Sequence, residues 1–144
     1  MAVYKWLVIG AVVFSVLIIG TVIYNLLVVN PQVAEEVTSN PDGERAGIVT
    51  LLTLPDGKQI PVNYLQEEDK VFLGADGPWW RVFRNGGADV TLLIRGRSLK
   101  GNAVVVLDDP EYTHEVFARL RPKAPAWLPD WLNGKLIVIS LESS

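Results

Sequence analysis

The hydrophobic and polar positions divide the chain into three parts. From Trp6 to Val29 there are 24 consecutive residues without a charge. Residues 30–45 are polar and acidic, and from position 46 onward apolar residues come in short runs separated by turn residues. This pattern predicts a membrane anchor at 1–29, a linker at 30–45 and one folded domain at 46–144.

The uncharged run is long enough to cross a bilayer. As a helix, 24 residues extend about 36 Å, against about 30 Å of hydrocarbon. Tyr4, Trp6 and Tyr24 stand near its ends, where aromatic side chains favour the headgroup layer. A cleaved signal peptide is the alternative, but its apolar region would be shorter, and Gln32-Val33-Ala34 is a poor cleavage site. Lys5 precedes the span and acids follow it, which predicts a single-pass protein with a cytoplasmic amino terminus and the domain outside.

One face of the predicted anchor carries small and polar residues, namely Ala11, Ser15, Val22 and Asn25. Small residues let another helix approach closely, and an amide in lipid seeks a partner, so this face would pack against other membrane-protein subunits. The alternative is a lone anchor surrounded by the lipid bilayer, in which Ser15 bonds its own backbone and Asn25 reaches the interface. The pattern leaves both alternatives open.

The end of the anchor is predicted from Asn30-Pro31. Proline lacks a backbone donor and restricts the residue before it, so the helix should stop there. Residues 30–45 then form a tether, or a short helix over Val33–Val37, followed by a turn at Asn40–Gly43.

The folded part is predicted to contain six strands and two short helices. The strands are Gly47–Leu54, Gln59–Leu65, Lys70–Gly74, Asp89–Arg95, Ser98–Leu107 and Lys135–Leu141. One helix covers Trp79–Asn85, and the other begins at Asp109-Pro110-Glu111, where a cap, a first-turn proline and a first-turn acid follow in order. This content is typical of a mainly β fold, a small six-stranded antiparallel barrel.

Composition excludes several kinds of site. The chain has no Cys and a single His, His114, which excludes a disulfide scaffold, a thiol nucleophile, and a zinc site of Cys or several His ligands. A net charge of −3 argues against a general nucleic-acid binder. The sequence contains no recognisable catalytic triad or P-loop.

Basic residues are frequent in the middle of the chain. Half of the 12 basic residues beyond the anchor are Lys58, Arg81, Arg84, Arg95, Arg97 and Lys100. Arg81 and Arg84 are three apart on a helical turn, where they would clamp a phosphate or carboxylate. The alternative is a solvated basic face, with ion pairs to Asp76 and Asp89.

Two pairs of tryptophans are candidate contact residues. Trp79 and Trp80 would stack on a planar ring, or would divide into one core residue and one lid residue. Trp127 and Trp131, four apart, would dip into lipid headgroups or cover the mouth of the barrel.

The run Trp79–Ala88, followed by Val90-Thr91-Leu92 and Arg95-Gly96-Arg97, resembles the deazaflavin-dependent nitroreductase family. This family is a branch of the split β-barrel flavin-binding superfamily, and some of its members carry an amino-terminal membrane helix. The similarity covers roughly residues 47–107 and includes Pro61–Leu65.

The resemblance implies a deazaflavin or a flavin mononucleotide (FMN) in a groove of the barrel, with hydride passing between that cofactor and a quinone-like or nitro-aromatic acceptor. Carried over by position, the cofactor contacts would be Gly57, Lys58 and Gln59 at the phosphate, Pro61 and Asn63 along the ring, and Gly74, Trp79, Trp80, Arg81 and Arg84 closing the site. Relatives usually have a longer and more basic turn where this chain has Pro55–Gln59, in which Asp56 would repel a phosphate.

Three functions follow from these observations. The first is a membrane-anchored oxidoreductase using a flavin or deazaflavin, whose tether suits a lipid-soluble acceptor. The second is a small-ligand-binding module that has kept the barrel and lost redox activity. The third is a non-catalytic accessory subunit of a larger membrane complex. A domain outside the cytoplasm would count against the first, because flavins are chiefly a cytoplasmic resource.

Overall fold

The computed structural model describes residues 2–125, 127 and 134–143. It contains an N-terminal helical segment followed by a six-stranded domain. The helices are α1 (Ala2–Tyr24), α2 (Asn30–Ser39) and α3 (Pro110–Leu120), and the strands are β1 (Val49–Thr53), β2 (Gln59–Glu67), β3 (Lys70–Ala75), β4 (Ala88–Ile94), β5 (Arg97–Val106) and β6 (Lys135–Leu141). Short 3₁₀ helices cover Arg45–Gly47 and Pro78–Phe83.

The strands form a closed antiparallel barrel in the order β1-β2-β3-β6-β5-β4. This confirms the fold class predicted from the apolar runs, a mainly β six-stranded antiparallel barrel. Closure leaves each strand with two neighbours, which removes most of the free sheet edge. The 3₁₀ helix Pro78–Phe83 connects β3 to β4, and α3 lies between β5 and β6.

The barrel is filled by side chains that alternate along the strands. Leu52 of β1 lies opposite Leu92 of β4, and both are fully buried. Ile137 and Ile139 of β6 are also fully buried in the same cluster. A second cluster forms where Phe117 of α3 packs with residues of β3 and β6. Helix α3 therefore covers one outer side of the barrel.

The turns follow the local chemistry of the sequence. The β4–β5 hairpin closes through Arg95 (φ 48°) and Gly96 (φ 78°), which is the pair of left-handed residues that a tight two-residue hairpin requires. The carboxylate of Asp109 accepts a hydrogen bond from the backbone N–H of Tyr112 at 3.1 Å, so the predicted helix start is confirmed. The helix predicted over Trp79–Asn85 is a 3₁₀ helix.

The predicted end of the anchor helix at Asn30-Pro31 is wrong. The helix runs without a break from Ala2 to Ser39, and a π-helical turn over Asn25–Val29 precedes the proline. In this turn the N–H of Asn30 bonds to the carbonyl of Asn25, five residues back. A widened turn removes the clash between a proline ring and the carbonyl four residues earlier, so the helix passes through Pro31.

The helix has two parts with different surroundings. No residue of α1 is buried, whereas Val37 of α2 is completely buried and Glu36 forms an ion pair with Arg45 at 2.8 Å. Of the two alternatives for residues 30–45, a helix followed by a turn is the one observed. By length and composition alone, Ala2–Ser39 is apolar enough to cross a membrane.

Polar side chains within the apolar part of the helix bond to the helix itself. The Ser15 hydroxyl donates to the carbonyl of Ala11 at 2.8 Å, and the Asn25 amide donates to the carbonyl of Thr21 at 2.8 Å. Each of these side chains thus has a hydrogen-bond partner within its own helix. The Ser15 bond is the one expected of a lone anchor, whereas the Asn25 bond to the helix was not predicted, and the packing role of Ala11, Ser15, Val22 and Asn25 stays a prediction.

Candidate functional site

The barrel opens between β2 and β3. Strand β3 pairs only with Tyr64–Glu67 of β2, while Gln59–Asn63 pairs with β1 alone. We call this edge of Gln59–Asn63, which faces away from β1, the seam. Pro61 stands in the middle of the seam, where a residue without a backbone N–H costs no ladder hydrogen bond.

Helix α2 lies over the seam, and two cavities form beneath it. The first, which we call the apolar cavity, has a volume of about 540 Å³. Its walls come from the helix (Leu26, Asn30, Pro31 and Ala34), from the barrel (Leu51, Lys58, Gln59, Ile60 and Pro61) and from the start of the 3₁₀ helix (Gly77, Pro78 and Trp79). The N-terminal helical segment therefore supplies one wall of the larger cavity.

The second cavity, which we call the polar cavity, has a volume of about 280 Å³ and shares Asn30 and Pro61 with the first. Its other walls are Val33, Arg45, Val49, Val62, Asn63, Gly74, Asp76 and Arg121. Since both cavities touch the same two residues, they lie side by side under one helix.

Arg121, one of the two arginines among the described residues that line the polar cavity, is held by contacts with Asp76 and Phe117. Its Nη2 atom lies 3.1 Å from a carboxylate oxygen of Asp76, and its guanidinium lies over the ring of Phe117 at 5.2 Å. A side chain at Gly74 would collide with both Arg121 and Phe117. Because Gly74 has no side chain, the Arg121 guanidinium can lie against β3 at this position.

The turn before the seam uses its own backbone donors. The N–H of Gly57 bonds to the carbonyl of Leu54 at 2.9 Å, and the N–H of Lys58 bonds to a carboxylate oxygen of Asp56 at 2.9 Å. A phosphate placed at this turn would therefore depend on the Lys58 ammonium. Gly57 lies outside both cavities.

The segment Trp79–Arg84 divides between the cavity and the surface. Trp79 lines the apolar cavity and meets the ring of Phe83 edge-on, with centroids 6.3 Å apart. Trp80 packs against the barrel core and has the Arg81 guanidinium 5.7 Å and the Lys135 ammonium 5.8 Å from its ring centroid. Arg81 and Arg84 are exposed and line neither cavity, so the structure does not bring them to the seam.

The structure thus brings six of the ten predicted contact residues to the two cavities. Lys58, Gln59, Pro61 and Trp79 line the apolar cavity, and Pro61, Asn63 and Gly74 line the polar cavity; Gly57, Trp80, Arg81 and Arg84 line neither. The helix residues were missed. Their signal is present in the sequence, because Leu26, Asn30, Ala34 and Val37 keep a helical spacing across Pro31.

Tyr64 lies near the seam, and its hydroxyl is used in a hydrogen bond within the fold. Its hydroxyl donates to the carbonyl of Ala46 at 3.0 Å. Burial raises the pKa of Tyr64, and the nearby Arg95 lowers it in part. Of the tryptophan pair predicted to dip into lipid headgroups or to cover the barrel mouth, Trp127 is exposed, and Trp131 lies outside the described residues.

No protein-family model matches the sequence, and no curated protein matches it. Among solved structures, the chain is similar to General Stress Protein 26 from Bacillus anthracis str. Sterne, with 20% identity and a TM-score of 0.44 over 74% of this chain and 87% of that one. It is similar to an F420 reductase, with 15% identity and a TM-score of 0.43 over 67% of this chain and 88% of that one. A third structure is an FMN-binding protein from Syntrophomonas wolfei subsp. wolfei, with 11% identity and a TM-score of 0.38 over 87% of this chain and 93% of that one. All three TM-scores lie below 0.5, so they assign no function.

Proposed function

We propose that this chain is a membrane-anchored oxidoreductase that holds a flavin or deazaflavin in the apolar cavity and reduces a quinone-like or nitro-aromatic acceptor there. The observation that supports this most is the position of a cavity of about 540 Å³ between the barrel and the anchor helix. Cavities of roughly 300–1,000 Å³ with mostly apolar walls are typical of small-molecule and cofactor sites.

The residues of the apolar cavity fit a planar ring system. Ile60, Pro61 and Pro78 provide apolar walls, and Trp79 adds an aromatic surface, on which a fused ring stacks favourably. Two amide side chains, Asn30 and Gln59, stand among these walls and offer hydrogen bonds to ring carbonyl groups. This combination of apolar walls and a few polar groups is what orients a bound ring.

The phosphate end of such a cofactor has one cationic contact in this cavity. Lys58 is the positively charged residue among the described lining residues, and the backbone donors of Gly57 and Lys58 are already used within their turn. The described lining residues therefore offer the ring several apolar and amide contacts, whereas they offer the phosphate one cationic contact. We expect affinity to depend strongly on Lys58, because a charged hydrogen bond is stronger than a neutral one.

When bound, a flavin-type group supplies hydride transfer. The residues of the chain bind and orient it: Lys58 Nζ holds the anionic end, and Trp79 and Pro61 exclude water from the ring. Leu26 lies near the end of the apolar run and also lines the cavity. The cavity thus lies where a lipid-soluble acceptor is concentrated.

The test is to purify the full-length chain in mild detergent, record its absorbance spectrum, and titrate it with FMN and with a deazaflavin. Lys58→Gln should weaken binding about tenfold, which is the loss expected for one charged hydrogen bond. As a separate single variant, Trp79→Leu should weaken binding more than Lys58→Gln does. Lys70→Gln, a matched charge removal at the exposed start of β3, should change nothing. Failure of the unmodified chain to bind either cofactor would overturn the proposal.

A second candidate is a ligand-binding module without redox activity, and one observation and one prediction from the sequence favour it. The turn before the seam has no spare backbone donor at Gly57 or Lys58, and Lys5 before the span predicts a domain outside the cytoplasm. The two candidates differ in a simple assay. The oxidoreductase oxidises a reduced cofactor when a quinone is added, whereas the module binds a ligand and leaves the reduced cofactor unchanged.

A further inference from the structure

We infer that an exposed basic surface beside the anchor binds anionic phospholipid headgroups, so that the barrel rests on the bilayer. This surface, which we call the Trp80 surface, consists of Trp80, Arg81, Val82, Arg84 and Lys135. The inference requires the membrane anchor of the proposed function and is independent of any cofactor.

The first argument is the level of this surface along the helix axis. Trp79, next to Trp80, lines the same cavity as Leu26 and Asn30. The apolar run ends at Val29, and each helical residue adds about 1.5 Å along the axis. The headgroup region of one leaflet is about 5–8 Å thick. The start of the 3₁₀ helix therefore lies close to the level at which the anchor leaves the hydrocarbon and enters the headgroups.

The second argument is the chemistry of the surface. Arg81 and Lys135 approach the Trp80 ring at 5.7 and 5.8 Å, although they come from two different elements, the 3₁₀ helix and the start of β6. Val82 exposes 48% of its surface. Tryptophan, an exposed aliphatic residue and several cations on one patch are the side chains that favour an anionic membrane interface.

The third argument is that nearby acids are engaged elsewhere. Asp76 pairs with Arg121 at 3.1 Å, and a carboxylate oxygen of Asp89 accepts a hydrogen bond from Asn102 at 3.2 Å. Among the described residues, no acid forms an ion pair with Arg81, Arg84 or Lys135. The positive charge of the surface is thus available to lipid phosphates.

The opposite end of the domain provides a matched control. The β4–β5 turn lies against the chain beyond the end of α2, because a side chain at Gly96 would meet Pro41 at 3.0 Å. Pro41 is fifteen residues beyond Leu26 in the sequence, so this turn should lie well away from the bilayer. Ser98 and Arg97 of this turn are exposed.

The experiment uses the absence of cysteine from the chain. Val82→Cys and, as the control, Ser98→Cys are each labelled with a nitroxide in the full-length protein, which is reconstituted into vesicles of phosphatidylcholine alone or with about 30% phosphatidylglycerol. Flotation of the vesicles first establishes that the protein is anchored. Collision with a water-soluble nickel complex then measures how far water reaches each label.

We expect the nickel accessibility at position 82 to fall at least about twofold when the anionic lipid is present, and to recover at about 1 M salt, where charges are screened beyond about 3 Å. Arg81→Gln with Lys135→Gln should abolish the fall, whereas Arg97→Gln should not. The label at position 98 should stay accessible throughout. Protein that does not float with vesicles, or equal accessibility at position 82 in both lipids, would overturn the inference. Neither result depends on whether a flavin binds.

Discussion

The two halves of the N-terminal helix share one continuous backbone and have opposite surroundings. Along α1 every described side chain is exposed, and the polar side chains of Ser15 and Thr21 bond to the helix itself. Along α2, by contrast, Val37 is completely buried, and Asn30 reaches both cavities. The π turn over Asn25–Val29 lies between the exposed half and the half that packs on the barrel.

The two halves of the helix therefore meet different requirements. The first half makes no buried contact with the barrel, so the stability of the domain does not depend on which of its side chains faces in which direction. The second half needs a specific face, because its side chains line the cavities and fill a position on the barrel. Changes of the same kind should therefore have different effects in α1 and α2.

The largest difference is expected from single-residue deletions. Deleting Ala34 rotates Val37 by about 100° relative to Asn30, so the two can no longer face the barrel together, and the domain should lose about 2–4 kcal/mol of stability. Deleting Val16 shortens the span by about 1.5 Å and should leave the unfolding transition of the domain unchanged. Chemical denaturation in detergent, followed by tryptophan fluorescence, measures both. Equal losses for the two deletions would contradict the division of the helix.

A smaller effect is expected from removing side-chain volume. Val37→Ala empties a completely buried position and should cost about 2 kcal/mol of unfolding free energy. Val13→Ala makes the same change at a position of α1 that is 53% exposed and should cost nothing measurable in the domain. If Val37→Ala is neutral, α2 does not dock on the barrel in solution.

The ion pair beside the docked half should contribute less. Glu36 and Arg45 lie 2.8 Å apart, with about half of each side chain exposed, so Glu36→Gln should cost below about 1 kcal/mol and less at high salt. Glu35→Gln, one residue earlier on the same helix, serves as the control. A loss above about 2 kcal/mol, or one that does not depend on salt, would indicate that the carboxylate has a further role.

The smallest effect is a change in pH dependence. Burial raises the pKa of Tyr64 above its usual value of 10.0, so the folded state holds the phenolic proton more tightly than the unfolded state. The stability from this difference is fully present below pH 10.0 and is lost as the pH rises through the folded-state pKa. Tyr64→Phe should remove this alkaline decline and should cost about 0.5 kcal/mol at neutral pH through the lost bond to Ala46. An unchanged decline above pH 10.0 in the variant would assign it to another group.

The barrel could be predicted from the sequence because its signals are local. Strand β6 was predicted with the observed ends, Lys135 and Leu141. The β4–β5 hairpin was predicted around Gly96, and the cap at Asp109 marked the start of α3. The alternation of apolar and polar residues in strands, the turn residues and the helix caps each depend on residues a few positions apart. They can therefore be recognised in a single sequence.

The candidate site was harder to predict because it depends on contacts between distant segments. The resemblance located the β2 side of the seam, including Lys58 and Pro61. It could not locate the helix side, because Pro31 indicates a helix end unless a π turn precedes it. Arg81 and Arg84 stay on one face in the observed 3₁₀ helix, because residues three apart eclipse there, but they line neither cavity, and their spacing alone could not show this.

The seam has one further consequence, which concerns the solubility of the domain. An uncovered strand edge is a template on which a second chain can add a strand, and this is a common route to aggregation. Helix α2 lies over the edge of Gln59–Asn63, and Pro61 interrupts its row of donors. In a chain cut after Ser39 this edge would be uncovered, and Pro61 would be the remaining residue that hinders the addition of a strand. The helical segment that lines the cavities would then also be the one that keeps copies of the domain apart.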